Sequence, residues 1–96
     1  MQSFYLYILR CANGAFYIGH TDDIERRLEQ HLVKAPGVDS YVSRYLPTEL
    51  VFVECLGTRA EAFEAERRIK KWTRKKKEAL IRRDFECLAV LAKKNF

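Results

Sequence analysis

The chain has 96 residues, about half of them hydrophobic, so it can form one compact core and is neither disordered nor long enough for two domains. Its formal net charge is +5, and it contains no run of about 18 apolar residues that would cross a membrane. The start of the chain lacks a basic region with a small-residue cleavage site, so we expect no signal peptide. The three cysteines form no C-x-x-C pair, so we expect free thiols in a reducing cytoplasm rather than a disulfide scaffold or a zinc site.

The first 20 residues predict a β-hairpin whose register decides which side chains share a face. The segments "SFYLYILRC" and "AFYIGH" are rich in aromatic and β-branched residues and are joined through "CANGA". A two-residue Asn13-Gly14 turn would place Tyr7 and Tyr17 on opposite faces, whereas a three-residue loop with Gly14 at positive φ pairs Tyr7 with Gly19. We favour the second register, in which both tyrosines share one face and Gly19 leaves room above Tyr7.

A helix is predicted to follow the hairpin, with apolar positions 24, 28 and 32 on one side and an end near residue 34. Thr21 or Asp22 is a suitable N-cap, and Glu25 is placed to complete a capping box on Asp22. Arg27 and His31 are four residues apart and therefore lie together beside the apolar stripe. We expect them where the helix meets the rim of a cleft.

The remaining sequence predicts a loop, a third strand and three further helices. Pro36, Gly37 and Pro47 mark the loop, and "TELVFVECLG" predicts the strand. The helices are predicted to cover about 59–72, 74–82 and 85–93, with N-caps Thr58, Thr73 and Asp84. We therefore expect a single α/β (α+β) domain over residues 1–96, with a three-stranded antiparallel β-sheet flanked by helices in the order ββαβααα.

Four ordered segments, "LYIL", "FYIG", "ERRLEQH" and "EAFEAERRIKKW", make the chain resemble the GIY-YIG nuclease superfamily, and within it the small, stand-alone, single-domain bacterial members. The second signature triplet, Tyr17-Ile18-Gly19, is intact, whereas the first reads Tyr5-Leu6-Tyr7 and keeps only its final tyrosine. The resemblance implies metal-dependent hydrolysis of phosphodiester bonds. It also implies that the catalytic residues are Tyr7, Tyr17, Arg27 and His31 and that the metal ligand is Glu66.

The position of Glu66 supports this interpretation. Glu66 interrupts the apolar side of its predicted helix, between Phe63 and Ile69. A carboxylate near the core needs a partner, and the resemblance implies that the partner is Mg²⁺ or Mn²⁺. A single carboxylate together with the substrate phosphate is sufficient for Mg²⁺, which keeps several of its waters. The alternative partner is Lys70, four residues along the helix.

The other candidate residues have separate expected roles. We expect Tyr7 to act as the general base and Tyr17 as its hydrogen-bonding partner, with the exchanged assignment left open, because a phenol needs a nearby cation to lower its pKa from about 10. We expect Arg27 to bind the phosphate oxygens in the transition state. His31 would orient a tyrosine hydroxyl or relay its proton. His20, near the end of its strand, is interpreted as structural and is left outside the site.

Positive charge is concentrated in one segment of the chain. Ten of the 18 Lys and Arg residues, but one of the 13 acidic residues, lie between Arg67 and Arg83. Such a patch predicts contacts with a nucleic-acid backbone that carry no sequence information and weaken with salt. Trp72 is interpreted as a packing residue rather than a base-stacking platform. The residues expected to hold phosphates are Lys70, Lys71, Arg74, Lys75, Lys76 and Lys77.

We therefore expect a small cytoplasmic endonuclease that acts on DNA as a monomer or weak homodimer, with DNA repair or recombination as the pathway class that the resemblance suggests. The sequence leaves open whether the DNA is single-stranded, duplex or branched. Two alternatives are a catalytically silent nucleic-acid-binding module and an interaction domain of a repair complex, whose basic helices would bind an acidic partner.

Overall fold

A computed structural model of the protein describes residues 3–33 and 48–93, including the side chains of 3–29 and 48–91. The element order is ββαβααα, as predicted. The loop predicted around Pro36, Gly37 and Pro47 lies outside the described residues. The strands are β1 (Phe4–Arg10), β2 (Phe16–Thr21) and β3 (Glu49–Leu56), and the helices are α1 (Ile24–Val33), α2 (Arg59–Lys70), α3 (Arg74–Ile81) and α4 (Phe85–Lys93).

The three strands form one antiparallel sheet in the order β2-β1-β3, which confirms the predicted fold class. The β1–β2 register pairs Tyr7 with Gly19 and Leu9 with Tyr17, as expected for the three-residue loop. Gly14 has a φ of 86°, and its N–H donates to the carbonyl of Cys11 at 2.8 Å. The left-handed conformation of Gly14 therefore sets the register of the hairpin.

The central strand β1 is buried on both faces, and its side chains, which point alternately to the two faces, divide the core into two clusters. Leu6 and Ile8 face α2 and α3 and form the larger cluster, together with Ile18, Phe52, Ala65, Ile69 and Leu80. Tyr7 and Leu9 face the other way and pack against Tyr17 and against Ile24 and Leu28 of α1. The sheet is thus a middle layer between α1 and the helices that follow β3.

Three helix starts follow the predicted caps. The Thr58 hydroxyl accepts a hydrogen bond from the Glu61 N–H at 3.1 Å at the start of α2. The Thr73 hydroxyl accepts from the Lys76 N–H at 3.3 Å, and the Asp84 carboxylate accepts from the Cys87 N–H at 3.1 Å. Each side chain satisfies a backbone donor that has no partner within its helix.

The predicted cap of α1 was wrong. Asp23 caps the helix, because its carboxylate accepts from the Arg26 N–H at 3.1 Å. Thr21 is still part of β2, paired with Tyr5, and its hydroxyl accepts from the Asp23 N–H at 3.1 Å. The sheet thus extends one residue further than expected, and the capping position moves to the next suitable side chain.

Arg83 joins the last two helices to the sheet. It has a φ of 57°, and its guanidinium donates to the Val53 carbonyl at 3.0 Å while lying 4.7 Å from the centre of the Phe52 ring. Cys11, Cys55 and Cys87 are free thiols. Within the described ranges, no helix has the length and apolar character needed to cross a membrane.

Candidate active site

Two phenols lie side by side on the α1 face of the hairpin. Tyr7 comes from β1 and Tyr17 from β2, and their ring centres are 6.4 Å apart with the ring planes tilted by 34°. The two residues differ in accessibility, because Tyr7 is 2% exposed and Tyr17 is half-buried. This difference favours the exchanged assignment, since a group that takes a proton from water must be reached by that water.

Gly19 makes the position of Tyr7 possible. A Cβ atom added at residue 19 would lie 2.6 Å from Oη and 2.7 Å from Cζ of Tyr7. These separations are shorter than any non-bonded contact, so the phenol of Tyr7 rests against a backbone that has no side chain. A glycine inside a strand commonly marks such a close approach. The space above Tyr7 that the register predicted is therefore present.

Arg27 belongs to α1, the helix whose Ile24 and Leu28 pack against the cluster of Tyr7 and Leu9. It follows the turn that begins at Asp23 and lines a concavity of about 120 Å³ with Thr21, Asp22, Asp23 and Arg26. Within residues 3–29 and 48–91, no carboxylate forms an ion pair with the Arg27 guanidinium. A guanidinium is the group best suited to bind a phosphate with two hydrogen bonds. The backbone of His31 lies one turn further along α1, and its side chain lies outside the described atoms.

Glu66 is held by two cationic or hydrogen-bonding partners. Its Oε1 lies 2.8 Å from Nδ1 of His20, and its Oε2 lies 2.9 Å from Nζ of Lys70. Burial acts to raise the pKa of Glu66, but the hydrogen bonds and charges of Lys70 and His20 together outweigh it, so the pKa falls below the ordinary value. The carboxylate is therefore ionised at neutral pH, and Nδ1 of His20 is the hydrogen-bond donor.

His20 is the residue that the sequence analysis left out. In β2, His20 lies on the same face of the sheet as Ile18, and Tyr17 lies on the other face. His20 therefore faces α2, where its ring packs edge-on against the ring of Phe63 with the ring centres 6.1 Å apart. Strand alternation in "FYIGH" already indicates this direction. What the sequence does not reveal is that α2 packs near β2 and brings Glu66 to the ring across 46 positions of sequence.

The candidate residues thus form two groups on either side of β2, an edge strand of the described sheet. The tyrosines lie on the α1 face, while Glu66, His20 and Lys70 lie on the α2 face. The Glu66 side chain is 15% exposed and does not extend into bulk solvent. Convergence of the two groups on one phosphate stays a prediction.

The sequence matches the family described as the GIY-YIG catalytic domain over residues 3–79. The chain belongs to the GIY-YIG family. This match includes both tyrosines, Arg27, His31 and Glu66, and the family is of the nuclease type.

Relatives and solved structures agree with the family and the fold. A UPF0213 protein of Bacillus pumilus is 42% identical over 77 residues, which cover 80% of this chain and 76% of the relative. A UPF0213 protein of Haloquadratum walsbyi is 40% identical over 76 residues, 79% of this chain and 83% of the relative. Solution NMR structures exist for a UPF0213 protein from Bacillus halodurans (34% identity, 82% of each chain, TM-score 0.54) and a protein from E. faecalis (35% identity, 88% of each chain, TM-score 0.61). The name UPF0213 states no activity.

Only some of the basic residues that were expected to hold phosphates are fully exposed in this GIY-YIG domain. Lys71 and Lys75 are exposed, and Lys77 is half-buried. Lys70 pairs with Glu66, as the sequence analysis allowed for. The Arg74 guanidinium lies 4.4 Å from the centre of the Phe16 ring, and its Nε lies 3.5 Å from Oε2 of Glu78.

Lys76 requires a correction. It was expected on the phosphate-binding surface, but it is buried, with Nζ 5.9 Å from the centre of the Trp72 ring. The reason is helical periodicity, because Lys76 precedes the buried residues Ala79 and Leu80 by one turn of α3. Trp72 itself is partly buried and packs against the larger core cluster, in agreement with its interpretation as a packing residue.

The residues present fit a divalent cation held by one carboxylate. Within the described residues, His, Cys, Asp and Glu form no group of three or more that could hold a metal. Mg²⁺ needs no such group when its remaining ligands are waters and substrate phosphate. Glu66 is ionised and oriented by His20, and its Oε2 pairs, among the described residues, with Lys70, whose side chain is 55% exposed.

Proposed function

We propose that the protein is a metal-dependent endonuclease that hydrolyses DNA phosphodiester bonds and uses Mg²⁺ or Mn²⁺. The observation that carries this proposal is the pair of adjacent phenols, Tyr7 and Tyr17, with Arg27 on the helix that packs against them; among the described residues, its guanidinium pairs with no carboxylate. Hydrolysis by water needs a proton acceptor and a stabiliser of phosphate charge, and these residues supply both kinds of group. Membership of the GIY-YIG family supports a nuclease of this type.

In this mechanism the two tyrosines share the handling of the water proton. The more exposed Tyr17, in its ionised phenolate form, takes the proton from the attacking water and becomes a neutral phenol, and the buried phenol of Tyr7 holds Tyr17 in place. A positive charge close to a phenol favours its ionised form, and Arg27 would provide that charge while binding the phosphate oxygens. His31, one turn after Arg27, would orient a tyrosine hydroxyl or relay the proton.

Glu66 would hold the divalent cation through Oε2, with His20 fixing the other oxygen of the carboxylate. When bound, the cation supplies polarisation of the phosphate and stabilisation of the departing oxygen. A hydrogen bond from outside the coordination shell fixes the orientation of a ligand, which is the role we assign to His20. The products would carry a 5′-phosphate and a 3′-hydroxyl, as the family resemblance implies.

The basic segment would hold the DNA backbone away from the reacting phosphate. The residues that we assign to this role are Lys70, Lys71, Arg74, Lys75 and Lys77. Their contacts carry no sequence information and weaken as salt rises. We further propose that the protein works in the cytoplasm, a reducing compartment that agrees with its free thiols. Its proposed role is DNA repair or recombination, as a monomer or weak homodimer.

The test is a cleavage assay with purified protein, supercoiled plasmid and labelled single-stranded, duplex, flap and junction oligonucleotides, with Mg²⁺ or Mn²⁺ added or omitted. We expect metal-dependent cleavage of at least one substrate by the wild-type protein and none by Glu66→Gln. If wild type and Glu66→Gln bind the substrates equally and neither cuts any of them, the protein is a silent nucleic-acid-binding module.

A further inference from the structure

The two oxygens of the Glu66 carboxylate have partners of different kinds. Oε1 lies 2.8 Å from Nδ1 of His20, which belongs to β2 and is 20% exposed. Oε2 lies 2.9 Å from Nζ of Lys70, which belongs to the same helix as Glu66 and is 55% exposed. One partner is therefore fixed by the sheet, and the other is on the surface of the protein.

Lys70 is easily displaced from this position. Ion pairs between residues four apart on a helix surface are weak, because water screens them and the long side chains lose freedom. An ammonium on a flexible four-carbon stem exchanges one oxygen anion for another without movement of the backbone. His20 has no such freedom, since its ring also packs against Phe63.

Two further cations lie close to Lys70 in sequence, so this end of α2 would attract a phosphate. Lys71 is adjacent and exposed, and Arg74 begins the next helix, α3, with its side chain 56% exposed. A phosphate drawn to these cations would compete with Glu66 for the Lys70 ammonium. The loss of that ammonium would leave Oε2 with its full negative charge and no partner, which is the state that a divalent cation binds most strongly.

We infer that Lys70 is an internal counter-ion of Glu66 which moves to a phosphate when DNA binds, so that DNA and the divalent cation bind cooperatively. This inference rests on the proposed function, because it requires DNA and a metal at the same site. By thermodynamic reciprocity, the cation must also raise the affinity for DNA by the same factor. In the absence of DNA, Lys70 keeps the metal affinity low.

The experiment measures Mn²⁺ affinity by electron paramagnetic resonance of the free ion, with and without a short duplex oligonucleotide. All proteins carry Tyr17→Phe to slow cleavage during the measurement. Lys70→Met removes the counter-ion, and Arg67→Met is the matched control, because Arg67 is exposed and adjacent to Glu66 in sequence but forms no ion pair with the described carboxylates. Thermal unfolding checks that each protein is folded.

Without DNA, we expect Lys70→Met to bind Mn²⁺ about five-fold more tightly or better, the lower end of ordinary coupling between sites, and Arg67→Met to resemble the parent. DNA should tighten Mn²⁺ binding in the parent and in Arg67→Met but not in Lys70→Met. Equal Mn²⁺ affinity of parent and Lys70→Met would overturn the counter-ion role while leaving the nuclease proposal intact. If the parent binds no Mn²⁺, or if Glu66→Gln binds it as tightly as the parent does, the metal site and the nuclease mechanism are overturned together.

Discussion

Tyr7 and Gly19 face each other across the β1–β2 hairpin and pack so closely that no room is left for a single added carbon at residue 19. A Cβ at residue 19 would stand 2.6 Å from the Tyr7 hydroxyl oxygen. Because Tyr7 is 2% exposed, its ring has no solvent into which it can move. The pair therefore links the glycine of the second signature triplet to the tyrosine of the first.

We predict that Gly19→Ala lowers the free energy of unfolding by about 1–3 kcal/mol, as is usual when a packed core receives an extra methyl group. Urea unfolding would measure this change. The matched control is Gly57→Ala, because the nearest atom to a Cβ at residue 57 is 3.9 Å away. Equal stability of the two variants would show that the ring of Tyr7 adjusts without cost.

We predict that Tyr17→Phe slows DNA cleavage by about 100-fold or more, the usual contribution of a general base, and that Tyr7→Phe slows it less. The reason is that Tyr17 is half-buried while Tyr7 is almost fully enclosed. Single-turnover rates, with unfolding curves to correct for stability, would measure both effects. The reverse order of the two rates would return the base to Tyr7.

We predict that Glu66 contributes to acid sensitivity in metal-free buffer. Its folded-state pKa is lowered by Lys70 and His20 despite burial. An acid with a lowered folded pKa stabilises the fold at pH values above its unfolded pKa of about 4.3, and this contribution is lost as pH falls through the folded pKa. Between neutral pH and pH 3, the wild type should therefore lose more stability than Glu66→Gln.

Urea midpoints across a pH series would measure this difference. Glu64→Gln, which removes an exposed carboxylate from the same helix, is the matched control. If the wild type and Glu66→Gln lose stability in parallel on acidification, Lys70 and His20 do not stabilise the ionised carboxylate.

We predict that Lys75 and Lys76 behave differently although they are neighbours of equal charge. Lys75 is exposed, so Lys75→Ala should weaken DNA binding and reduce the slope of log affinity against log salt by about one. Lys76 is buried against Trp72, so Lys76→Ala should lower stability and leave the salt slope unchanged. Fluorescence anisotropy at several salt concentrations measures the slope. A smaller salt slope in Lys76→Ala would show that Lys76 contacts phosphate, as the sequence predicted.

Local rules were sufficient to predict the features that depend on nearby residues. The register of the hairpin followed from Gly14 and strand alternation, and the caps of α2 to α4 followed from Thr58, Thr73 and Asp84. The cap of α1 moved to Asp23, because the length of a strand is decided by its pairing partner and not by its own sequence.

Features that depend on packing between distant segments could not be predicted in the same way. His20 and Glu66 meet across 46 residues, and only the docking of α2 near β2 brings them together. Lys76 was misplaced because a run of like charges conceals which member lies on the buried side of a helix. Charge composition therefore located the basic segment but not its accessible members.

The hairpin loop also limits how this chain can diverge. Side chains alternate between the two faces along a strand, so an insertion or deletion of one residue between Cys11 and Ala15 would reverse the parity of β2 relative to β1. Tyr17 would then turn toward α2, and His20 would turn away from Glu66. Descendants of this sequence must therefore inherit the length of the loop, together with a residue at position 14 that accepts a positive φ.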